Sequence, residues 1–90
     1  MTLDKKLNDA FGEMMKYRQS IGYATATYRS SVPPFINFCV KNHPLSARIT
    51  QEMVDEWLIY YPYTVNSKSV FLSLLREYTK YLNFLGYDDY

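Results

Sequence analysis

In NSKSVFLSLLREYTKYLNFLG, residues 66–86, the apolar side chains Phe71, Leu74, Leu75, Tyr78, Leu82 and Leu85 recur at the spacing that lines one side of an α-helix. Asn66 or Ser67 stands where an N-cap belongs, and Gly86 follows the last periodic residue, where a helix stops. A helix apolar along one side must be covered by partners. The rest of the chain supplies them. Just upstream, Thr50 is a good N-cap for a helix over Gln51–Tyr60 that turns Met53, Val54, Trp57 and Leu58 inward, and Pro62 closes it. At the start of the chain, Thr2 can cap a helix over 3–20 built on Leu3, Leu7, Ala10, Phe11, Met14 and Met15, with Gly22 as its terminator.

The segment between begins at Tyr23 to Thr27 and runs to Asn42, with Tyr28, Val32, Phe35, Ile36, Cys39 and Val40 on one stripe. Pro33 and Pro34 interrupt it, and each removes an amide donor and crowds the preceding turn. Two solutions remain: one bent helix, or a short turn at 25–31 followed by a new helix with proline in its first turn. One bent helix is preferred. No stretch alternates with period two long enough to be a strand. The expected fold is therefore all-α, a compact orthogonal bundle of four to five helices over 1–87, with 88–90 beginning a linker.

Ninety residues make one domain. One cysteine excludes an internal disulfide and fits a reducing cytoplasm. Residues 2–6 lead into no apolar core of a signal peptide, and no run is long enough to span a bilayer. The net charge is only +1, but it is unevenly spread. Residues 23–48 and 64–87 together carry six bases against Glu77, a net of +5, while 49–63 carry Glu52, Asp55 and Glu56 with no base. Laid side by side, the two basic stretches would give a neutral protein a basic face.

Catalytic chemistry lacks its parts. His43 is the only histidine and reads as a plain loop residue; Cys39 falls on the apolar stripe and reads as packing. Together they cannot close a zinc site, so no metal is expected. The three glycines are isolated and form no phosphate loop, so no cofactor is expected either. Glu52, Asp55 and Glu56 read as helix-end and surface charges, and Asp88 and Asp89 as solvated.

What the sequence does offer is surface chemistry suited to an anion. Ser69, Ser73, Arg76, Lys80 and Asn83 fall on the side of the last helix away from its apolar stripe, with Lys68 at its N-terminal end. Thr25, Thr27, Tyr28, Arg29, Ser30 and Ser31 put hydroxyls and a guanidinium at a helix start, and Lys16, Arg18 and Ser20 close the helix before it. An ordinary solvated face is the plain alternative. The ten tyrosines suit a second alternative, a helical protein–protein interaction module without a nucleic-acid role.

The order of features resembles the N-terminal, SAM-like core-binding domain of phage-integrase-type tyrosine recombinases. The matching pieces are Tyr17-Arg18-Gln19-Ser20, Thr25-Ala26-Thr27-Tyr28, Phe35-Ile36-Asn37-Phe38 and Ile49-Thr50. The most telling run is Thr64-Val65-Asn66-Ser67-Lys68-Ser69 leading into Leu74-Leu75-Arg76-Glu77-Tyr78 and Tyr81-Leu82, with Leu85-Gly86-Tyr87 like the hinge before a catalytic domain. The Pro33-Pro34 pair departs from the pattern.

The resemblance implies a domain that closes on double-stranded DNA with the parent's catalytic domain, in DNA integration and recombination of a mobile element. In that family the second and fourth helices touch the core site. By position this nominates Thr25, Tyr28, Arg29, Asn66, Lys68, Ser69, Arg76 and Lys80, to which the residue reading adds Lys16, Arg18 and Ser73. It also implies a monomeric, membrane-free fragment in the bacterial cytoplasm, with the strand-cleaving residues in a domain not present and none of the ten tyrosines a nucleophile.

Overall fold

Threonine hydroxyls start three of the helices. The structure, a computed structural model, describes residues 2–22 and 25–87. Helix α1 spans Leu3–Ser20, α2 Ala26–Asn42, α3 Gln51–Tyr60 and α4 Val65–Phe84. The side chain of Thr2 accepts from the amide of Lys5, Thr50 from Met53 and Thr64 from Ser67. Each satisfies one amide that the first helical turn leaves without a partner. Helix α4 thus begins before Asn66 and Ser67: Thr64 is extended, at φ −70° and ψ 167°, and takes the capping role expected of them. Gly22 and Gly86 close α1 and α4 in the left-handed region, at φ 88° and 96°, where a side chain would be strained.

The described residues contain no strand, and the bundle is all-α with four helices. Helix α2 runs unbroken through Pro33 and Pro34, so the turn-then-helix solution does not occur. The two prolines withhold donors from the carbonyls of Arg29 and Ser30. Both residues lie on the exposed side of α2, where water can serve those oxygens. The expected start at Tyr23 lies outside the described residues, as do Asp88 and Asp89.

Packing brings α2 and α4 against each other and against α1, with α3 resting on α2. The result is a slab, 34 × 34 × 17 Å. Phe35 is its hub: the ring is fully buried and meets Trp57 and Phe71 edge-on, with centroids 5.9 and 5.5 Å away. Burying such a ring contributes about 1.5–3 kcal/mol. Tyr78, also fully buried, donates its hydroxyl to the Leu7 carbonyl at 2.6 Å and so ties α4 to α1. Cys39 is buried, as its stripe position implies. Leu85 is not: α4 ends at Phe84, and the turn through Gly86 carries Leu85 off the apolar stripe.

Two polar ties were not expected. Lys6 is buried; its ammonium donates to the Ala47 carbonyl at 2.9 Å and sits 4.6 Å over the Tyr87 ring. Tyr87 in turn donates its amide to the Leu82 carbonyl, so the chain is still packed there. His43 is no plain loop residue, because its Nε2 lies 2.5 Å from Glu56 Oε1 and joins the end of α2 to α3. Among the described residues, no helix is long and apolar enough to cross a membrane.

Candidate nucleic-acid interface

Helix α4 is 20 residues long, about 30 Å at 1.5 Å per residue. Its buried line is Phe71, Leu75, Tyr78, Thr79 and Leu82, and the opposite side presents Ser69, Ser73, Arg76 and Lys80 to solvent. Asn66 and Lys68 are exposed on the first turns. The only acid on the helix, Glu77, is half-buried on the flank toward α1. Arg76 and Lys68 make no ion pair among the described residues.

Glu77 restrains part of the expected charge. Arg18, at the end of α1, places its guanidinium 3.6 Å from one Glu77 oxygen, and Lys80 reaches 3.7 Å from the other. The Arg18 guanidinium also lies 4.8 Å over the Tyr28 ring. Arg18 is therefore a joint between α1, α2 and α4, not a free cation as its sequence position suggests. Tyr28 is a core residue, and its ring is not open for a partner to lie against. Burial pushes its phenol above the ordinary value of 10.0, with Arg18 pulling the other way and Glu77 reinforcing the rise. Lys16 is exposed and borders a shallow hollow with Asp9 and Glu13, of which Asp9 is paired with Lys5 at 3.2 Å.

The start of α2 differs from the other three. Thr25 sits at φ −117°, ψ −5°, and its side chain makes no capping bond; its hydroxyl accepts from Arg29 Nε at 3.3 Å instead. Arg29 is exposed and makes no ion pair among the described residues. Thr27 and Ser31 of α2 share a groove with Asn66 and Ser67 of α4. Arg29 lies two residues from each of Thr27 and Ser31, about 200° around the helix, so it stands on the outer flank of α2. Arg76 is likewise about 180° around α4 from Ser67. The structure thus brings the nominated segments of α2 and α4 together through hydroxyls and an amide, with the free cations on their outer sides.

Sequence reading missed the groove itself, since Ser67 and Thr27 meet only through tertiary packing. Among the described residues, no set of three histidines, cysteines or carboxylates could hold a metal ion. No family model, curated protein or solved structure matches this chain.

Proposed function

We propose that this chain is a DNA-binding helical module of the kind found as the core-binding domain of tyrosine recombinases, gripping duplex DNA through α2 and α4 and leaving strand cleavage to another domain. One observation carries the reading: the outward side of α4, about 30 Å long, exposes Ser69, Ser73, Arg76 and Lys80 with no acid among them. Hydroxyls and cations in one row suit phosphate oxygens, and an arginine in that row can also address a guanine edge.

Few cations are free, so the isolated domain binds weakly, with a Kd of about 1–100 μM or weaker at physiological salt. The test is an NMR titration with duplex DNA at low salt. The expected shifts fall on Lys68, Ser69, Ser73, Arg76 and Lys80 and on Thr25 and Arg29. Shifts clustered on Glu52, Asp55 and Glu56, or none, would refute the reading.

A second reading, a protein-interaction module, is favoured by large apolar residues left open on α1, on α4 and in the turn after α1. Phe84, Ile21 and Tyr17 are all more than half exposed. Association that rises with protein concentration and ignores DNA would select it.

A further inference from the structure

Between α2 and α3 lies a cleft of about 500 Å³, within the size range of ligand sites. Phe38, Trp57, Tyr60 and Tyr61 line it with rings. Tyr61 stacks on Trp57 at 5.1 Å and 30°, Tyr60 lies tilted to Trp57 at 35° and to Phe38 at 34°, and Phe38 meets Trp57 edge-on at 60°. Only Trp57 is fully enclosed. Tyr60 is 69% exposed and Tyr61 43%, so ring surface remains open to a ligand. Tyr61 also packs 4.5 Å from the Tyr63 ring, so the more exposed Tyr60 offers most of the open ring surface.

The polar lining has one sign. Lys41 stands on the α2 wall beside Asn37 and Asn42, and no carboxylate lines the cleft. Lys41 makes no ion pair, and the Asn37 amide no hydrogen bond, among the described residues. Asn42 donates to the Phe38 carbonyl and keeps its amide oxygen for another partner. Glu56, on α3 with Trp57 and Tyr60, is engaged by His43. Past Tyr61 the cleft continues into a smaller hollow lined by Ser30, Ser31, Pro34 and Tyr63, again without an acid. Along α2 this track runs from Ser30 to Lys41, about 16 Å.

Flat open rings, amides that can pair with a base edge, and a cation without an acid describe one chemistry: a planar heterocycle carrying a phosphate. We infer that the cleft between α2 and α3 is a binding site for unpaired nucleotides of single-stranded DNA, with bases on Tyr60 and Tyr61 and a phosphate at Lys41. Bases of any identity stack on tyrosine, so the site is tolerant of sequence. A duplex hides its base faces inside the helix and cannot offer them to the cleft. The site uses none of the residues on the outward side of α4, and it stands or falls separately from the duplex reading. Proline-rich peptides also seek aromatic grooves, but nothing in that preference requires an acid-free, cationic wall.

Trp57 is the chain's only tryptophan and forms the floor of the cleft, so its fluorescence reports occupancy directly. The experiment titrates the full chain, at low salt, with an oligothymidylate of about ten nucleotides, long enough to overrun the track. An abasic strand of equal charge and a proline-rich peptide are the comparison ligands. The expected result is saturable quenching by the oligothymidylate, weakened about tenfold by Tyr60→Ala, by Tyr61→Ala, or by removal of the bases. Arg76→Ala leaves it within about twofold while weakening duplex binding, which separates the two readings. Tyr61 supports Trp57, so circular dichroism checks its variant; the more exposed Tyr60 carries the test if Tyr61→Ala unfolds. Equal binding of the abasic strand, indifference of folded Tyr60→Ala, or quenching by the peptide alone would overturn the inference.

Discussion

Cys39 shows how far burial alone sets chemistry in this molecule. Its side chain has no exposed surface, and burial pushes its thiol from 9.0 up to about 12, with the Glu56 charge adding to the rise. Three units amount to roughly a thousandfold less thiolate near neutral pH. The thiolate is the reactive form, so Cys39 of the folded protein is inert. We expect a disulfide reagent at about pH 8 to label native protein at least ~100-fold more slowly than protein in urea; rates within about tenfold would contradict this. The sign of the pH effect follows. A proton held more tightly in the folded state adds stability that is whole below pH 9.0 and drains as pH rises toward about 12. Urea midpoints across that alkaline window should therefore fall more steeply for the wild type than for Cys39→Ser.

The helices differ in how they begin, and that difference is measurable. Thr50 and Thr64 each accept a bond from an amide in the first turn, so Thr50→Ala and Thr64→Ala should each cost about 1 kcal/mol. In a domain of this size that lowers Tm by roughly 4–8 °C. The Thr25 hydroxyl hydrogen-bonds the exposed Arg29 side chain and no first-turn amide, so Thr25→Ala should change stability by less than about 0.5 kcal/mol. Equal losses at all three positions would show that the caps are not what distinguishes them. Much of this was legible beforehand. Thr2, Thr50, Gly22 and Gly86 act through neighbours a few residues away, and the apolar stripes need only helical spacing. Thr64 was missed because Asn66 and Ser67 offered equally good local chemistry, and only the backbone angle at Thr64 separates them. Lys6 was missed because its partner, the Ala47 carbonyl, is 41 residues distant. The same limit applies to the candidate interface. Sequence spacing identified the exposed side of α4, but the meeting of Arg18 with Tyr28 and Glu77 depends on how three helices pack.

Across the whole molecule, the charges decide how strongly a face can hold a polyanion. The basic stretches on either side of α3 total a net +5 in sequence with Glu77 already counted, and in the fold that carboxylate sits between Lys80 and Arg18 of α1 and partly offsets both. Arg29 stands on the outer flank of α2, which leaves Lys68 and Arg76 as the free cations on the α4 side of the proposed duplex face. Three or four phosphate contacts correspond to a log–log salt slope of about −3 to −4. Glu77→Gln tests this balance. It keeps the side chain's length, removes the one carboxylate on α4 and releases Lys80, which is already 69% exposed. Exposed ion pairs contribute at most about 1 kcal/mol, so the variant should stay folded. If duplex DNA binds this face, Glu77→Gln should bind a few-fold more tightly at low salt, and its slope should steepen by about one, the share of one added phosphate contact. Fluorescence anisotropy of a labelled duplex across a salt series reads both quantities. Unchanged affinity and slope in a folded Glu77→Gln protein would place the duplex elsewhere, because no surface that includes Lys80 and Arg76 can lose that carboxylate without its field for phosphate growing.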